Sequence, residues 1–197
     1  MNVEPQEKKS GRETTIENAI MARPDLLGFP GALAIRNFRV ADSSGAVDVV
    51  LIPESGPIRL VLVEAKAASA TDAGCKVVGQ LLMYYAGALT LGLDGVELLR
   101  RFARNFQDEA RAIPRTSPQK VIEKVLGVRH PNTHCFELLT KGIPLTPKEV
   151  LLFVALDDKP HHVLVPLLRM LREFHALHVG LVVVRGDDSE LVLSAAG

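Results

Sequence analysis

Residues 46–52 read AVDVVLI and residues 59–66 read RLVLVEAK, and these two runs decide the fold. Leu60, Val61, Leu62 and Val63 form an unbroken apolar, β-branched series that ends abruptly in charge, the pattern of a strand buried on both faces. Between the runs lies Pro53-Glu54-Ser55-Gly56-Pro57, a cluster of turn formers, so the simplest arrangement is an antiparallel hairpin. Side chains alternate across a strand, which puts Glu64 and Lys66 on one face and the small Ala65 on the other. With the strands paired around that turn, Asp48 and Glu64 arrive at the same end of the hairpin and converge from neighbouring strands.

Two carboxylates that close repel unless a cation neutralises them. Magnesium suits such a pair, because it takes hard oxygen ligands, keeps several waters and is commonly held by one or two carboxylates plus a substrate phosphate. Lys66 faces the same way and can orient or help deprotonate an attacking water, or stabilise charge building on a phosphate. Taken singly the signals are weak: a Glu-x-Lys triplet is an ordinary charged strand end, and Asp48 could lie on an exposed strand face. An acid between valines is nonetheless costly if buried without a partner, so the pair says more than either member.

Asp48, the Glu64-Ala65-Lys66 triplet and Gln80, preceded by Glu17, resemble the PD-(D/E)XK phosphodiesterase superfamily, in the branch of RecB-type nucleases, archaeal junction resolvases and NucS-like DNA endonucleases. The opening IENAIMARPDLLG is similar to the first helix of those nucleases, and Gln80-Leu81-Leu82-Met83-Tyr84-Tyr85 to the helix that follows their site. The resemblance covers roughly residues 13–93, with a compatible strand, helix and strand pattern returning near Leu151. It implies an α/β, restriction-endonuclease-like fold with a mixed central sheet flanked by helices; residues 94–149 have no counterpart in it and read as a helical insertion. It also implies Mg2+-dependent hydrolysis of phosphodiester bonds, with Mn2+ able to substitute. Asp48 and Glu64 would hold the metal, Glu17 would assist from the first helix, Lys66 would serve the attacking water, and Gln80 would join the site. One departure is that Val47, and not proline, precedes Asp48.

Two of these positions carry a second reading. Thr14-Thr15-Ile16-Glu17 fits the Ser/Thr-x-x-Glu capping box, in which Glu17 would fold back on the helix's first free amide. Gln80 sits beside an apolar stripe of Val77, Val78, Leu81, Leu82 and Tyr85 and could be a plain polar helix residue. Tyr84 and Tyr85 read as core or interface residues.

Length and composition fit one domain over residues 13–197 behind a polar, disordered tail at 1–12: the chain has 197 residues and is 47% hydrophobic, enough to bury a sizeable core. The tail lacks the apolar stretch of a signal peptide, and no apolar run is long enough to cross a bilayer, which points to a cytoplasmic protein with no membrane partner. Two cysteines, Cys75 and Cys135, make no disulfide framework. His130, His134 and Cys135 are too loosely spaced for a zinc site and have no matching second half.

The 23 basic and 23 acidic side chains cancel, so the molecule as a whole lacks the basic footprint of a tight, non-specific DNA binder. A local surplus appears within 97–129, where Arg100, Arg101, Arg104, Arg111, Arg115, Lys120, Lys124 and Arg129 face Glu97, Asp108, Glu109 and Glu123. Arg100, Arg101, Arg104, Lys120 and Lys124 are the candidate nucleic-acid contacts, with a solvated helical surface as the competing reading. Downstream, VLLFVAL from Glu149 reads as a strand. A helix from about Pro166 to His178 follows, with Gly180 at its exit, then the strands GLVVV and ELVLS. This unit is expected to complete the sheet by a right-handed crossover. The alternative function is a catalytically inactive or partner-dependent DNA-binding or interaction module on the same fold. DNA is preferred over RNA, and a homodimer is considered, by analogy only.

Overall fold

The computed structural model describes residues 11–40, 45–71, 73–90 and 145–194. Six strands form one mixed sheet in the order in which they occur: β1 (Leu33–Phe38), β2 (Val47–Ile52), β3 (Leu60–Lys66), β4 (Val150–Leu156), β5 (Val179–Arg185) and β6 (Asp188–Leu193). Neighbours β1–β2, β2–β3 and β5–β6 are antiparallel, while β3–β4 and β4–β5 are parallel. The architecture is therefore α/β. β2 and β3 pair as the expected hairpin, with Val49 opposite Val63 and Leu51 opposite Val61.

Three described helices cover the sheet. Ile16 and Ile20 of α1 (Gly11–Ala22) pack on one face, against Val49, Leu51, Val61, Val63 and Phe153. Two helices cover the other face: α2 (Cys75–Leu89) with Val77, Leu81 and Tyr84, and α3 (Leu164–His175) with Leu164, Leu168 and Leu171. They meet Val50, Ile52, Leu60, Leu62, Leu152 and Val154. β3 and β4 are buried along nearly their whole length, as strands covered on both faces must be.

Several expectations are corrected by local physics. Thr14 lies inside α1, which already begins at Gly11, and Thr15 Oγ1 donates to the Gly11 carbonyl at 2.9 Å; the Thr14–Glu17 capping box does not form because the helix starts upstream of it. A capping box forms instead at Thr146-Pro147-Lys148-Glu149, where the Glu149 carboxylate accepts from the Thr146 amide at 2.7 Å. Leu145 is buried in the core beside it, so residues 145–149 belong to the sheet unit and not to the insertion.

The helix expected at 166–178 runs from Leu164 to His175, with Pro166 in its first turn, and ends on Ala176 in the left-handed conformation (φ 51°). Gly180 is not its exit. It lies in β5 opposite Phe153, and a Cβ there would come within 2.4 Å of the Phe153 ring; glycine serves the approach of the ring, not a turn. The insertion at 94–149, up to residue 144, lies outside the described residues, as do Arg100, Arg101, Arg104, Lys120, Lys124 and the His130, His134 and Cys135 group.

Candidate active site

The candidate site forms where β2 begins and β3 ends. Carrying the β2–β3 register one step beyond Val49 and Val63 sets Asp48 opposite Glu64. The two acids are among only four buried charged or polar residues described, at 3% and 1% exposure. Asp48 Oδ2 accepts a hydrogen bond from the Ala65 backbone amide at 2.8 Å. That bond ties the first strand's acid to the peptide between Glu64 and Lys66. Lys66 Nζ lies 3.3 Å from Glu64 Oε1 with its side chain largely buried. Alternation along β3 thus places carboxylate and ammonium side by side, toward the face carrying α2.

Gln80 reaches this cluster through a residue that the sequence reading assigned to the core. Its Nε2 donates to the Tyr84 hydroxyl at 2.8 Å, and that hydroxyl donates to the Ala46 carbonyl at 2.9 Å. The spacing of four residues stacks Gln80 over Tyr84 on one face of α2. Burial, the nearby Glu64 charge and, more weakly, Asp48 push the Tyr84 phenol well above its usual range, against the Gln80 hydrogen bond that favours its ionised form. Tyr84 therefore stands within electrostatic reach of both acids as a neutral donor. Two features could have pointed to it: a buried phenol hydroxyl needs a partner, and Tyr84 sits one helical turn after Gln80.

Glu17 is placed differently. It is buried at 2% exposure on α1, against the opposite face of the sheet, where its Oε2 lies 3.5 Å from Arg36 Nε of β1. The α1 acid joined to the end of β3 is Glu13, whose Oε1 accepts from the Ala67 amide at 3.4 Å. One turn separates the two on the helix.

Asn37 faces this end of the hairpin with φ 54°, in the left-handed region that Asn tolerates better than most residues. Opposed to Asp48 by register, it breaks the alternation of β1, so that Phe38 packs in the same core as Ile35.

Among the described residues no group of three or more His, Cys, Asp and Glu side chains is arranged to hold a metal. The donor set of Asp48 and Glu64 is two hard carboxylates beside a single ammonium. That set fits a magnesium-type cation that takes its remaining ligands from water and phosphate, and does not fit a softer metal that needs imidazole or thiolate. No family model, no curated protein and no solved structure matches the chain. No helix among the described residues is long and apolar enough to cross a membrane.

Proposed function

We propose that this chain is a divalent-metal-dependent phosphodiesterase acting on nucleic acid, DNA in preference to RNA, on a restriction-endonuclease-like fold. The observation that carries the reading is the buried convergence of Asp48 and Glu64 from adjacent strands, with Lys66 3.3 Å from Glu64. A pair of buried carboxylates is costly for a fold to keep, and a cation between them relieves that cost.

Asp48 and Glu64 would hold the cation, Mg2+ or Mn2+, which when bound neutralises phosphate charge and makes a water easier to deprotonate. The chain's own groups do the rest. Asp48, fixed by the Ala65 amide, and Glu64, fixed on the buried strand, present oxygens whose positions are set before substrate arrives, and such preorganisation lowers the barrier to reaction. Lys66 places positive charge beside Glu64, where it can orient the attacking water and offset the negative charge that grows on the phosphate. Gln80 and Tyr84 hold the α2 side of the site, with the phenol kept protonated as a hydrogen-bond donor.

The test is Mg2+- and Mn2+-dependent cleavage of a panel of duplex, single-stranded, flapped, mismatched and four-way DNA, with Lys66→Ala beside the wild type. Cleavage by the wild type that is lost in the variant supports the reading. Cleavage that persists in Lys66→Ala overturns Lys66's role. Wild-type protein that cuts nothing favours the inactive or partner-dependent module.

A further inference from the structure

Beyond Val63 β3 loses its pairing with β2, and beyond Lys66 its pairing with β4, and several backbone amides there turn to side chains. The β2 ladder ends at the Val49 and Val63 pair, and the β4 ladder ends at Lys66 opposite Leu156. Three amides along this stretch donate to side chains. Ala65 N–H donates to Asp48, Ala67 N–H to Glu13 Oε1 at 3.4 Å, and Ala68 N–H to Asp157 Oδ1 at 2.8 Å. Arg12, next to Glu13 on α1, forms an ion pair with Asp157 Oδ2 and donates from Nη1 to Ser69 Oγ at 3.1 Å. Lys66 therefore sits inside a run of five residues, 65–69, in which four are tied to side chains from β2, α1 and the end of β4.

We infer that Glu13 and Asp157, braced by Arg12, are positioning residues that hold the backbone following Lys66 so that its ammonium stays on Glu64. This rests on the hydrolytic reading above. The 2.8 Å bond from the Ala68 amide to Asp157 has the length of a charge-assisted bond, while the 3.4 Å contact from Ala67 to Glu13 is longer and weaker. A strand end held only by its own ladder frays, and a reacting group displaced by about 1 Å loses roughly a hundredfold in rate. The clamp also explains how α1, packed on the far face of the sheet, acts on a site that faces α2. Arg12 and Asp157 border a cavity of about 310 Å³ with Thr15, Ile16, Val184 and Arg185.

The experiment compares Glu13→Ala, Glu13→Gln, Asp157→Ala and Asp157→Asn, reading amide hydrogen exchange at Ala67 and Ala68 together with cleavage kinetics on the substrate the wild type cuts. The Gln and Asn variants keep an acceptor oxygen for the amide, whereas the Ala variants do not. The expected result is lost protection at Ala67 in Glu13→Ala and at Ala68 in Asp157→Ala. With it, kcat falls about tenfold to a hundredfold at unchanged KM and unchanged metal dependence, with most of the rate recovered in Gln and Asn. Unchanged protection in the Ala variants overturns the clamp whether or not DNA is cut. Lost protection with wild-type kcat overturns its link to Lys66. A wild type that cuts no DNA overturns the hydrolytic reading, and with it the catalytic half of this inference, while the exchange data still decide the clamp.

Discussion

Asp48→Asn in metal-free buffer should make the protein more stable, contrary to the usual effect of altering a buried, hydrogen-bonded residue. Asn retains an oxygen able to accept from the Ala65 amide, so the bond of 2.8 Å survives, and what disappears is one of two facing charges. Directly opposed side chains on adjacent strands lie about 5 Å apart, and two unit charges at that separation repel by about 3 kcal/mol at an effective dielectric constant near 20. Lys66, 3.3 Å from Glu64, offsets part of this, leaving a net relief of about 1–2 kcal/mol. For a chain of this size that raises Tm by about 2–8 °C. The assay is thermal unfolding in chelator and again in saturating Mg2+. A cation at a hundred times its Kd stabilises by about 2.7 kcal/mol, so the wild type should gain about 5–11 °C from metal and Asp48→Asn much less. A variant that melts below the wild type in chelator, with the metal response intact, would refute the claim that these acids form a charge-frustrated cation site.

Three other outcomes follow from the packing. Tyr84→Phe removes the hydroxyl shared by Gln80 and Ala46 and should cost about 1–3 kcal/mol in denaturant unfolding; a neutral result would mean that water replaces the bridge without loss. The Tyr84 phenol is raised in the folded state from an ordinary value of 10.0, so the folded protein holds that proton more tightly. The stability tied to it is full below about pH 10 and is lost as pH rises beyond it. With two tyrosines and no tryptophan in the chain, phenolate absorbance of native protein should lag that of unfolded protein above pH 10, and coincident titrations would contradict the burial. Gly180→Ala drives a Cβ into Phe153 and should cost about 1–3 kcal/mol, recovered in part by adding Phe153→Leu; an unchanged denaturation midpoint would disprove the close approach.

What could be read from the sequence, and what could not, divides along physical lines. The hairpin of β2 and β3 was legible because a doubly buried strand needs a continuous apolar run, and Leu60–Val63 and Val49–Ile52 supply one, closed by Pro and Gly. That Asp48, Glu64 and Lys66 would come together was legible because the hairpin register and strand alternation set Asp48 opposite Glu64 and put Lys66 on the same face as Glu64. β1 was not, since LAIRNF carries Arg36 and a left-handed Asn37 that interrupts its alternation. Glu13 and Asp157 were invisible because their partners are backbone amides 54 and 89 residues away, and no local pattern records such a bond. Gly180 misled because glycine after a helix ordinarily marks a cap, whereas here a neighbouring strand's phenylalanine demands it. Tyr84 read as core and is core, fully buried, but the hydroxyl on that ring carries the hydrogen bonds that join α2 to the site.

That Asp48 and Glu64 together hold the cation of a hydrolytic site, as proposed above, is tested by single-turnover cleavage by Asp48→Ala, run at rising Mn2+ beside the wild type. The expected result is cleavage by the wild type and none by the variant at any metal concentration, with the variant still folded by circular dichroism. Cleavage by Asp48→Ala at the wild-type rate would contradict it.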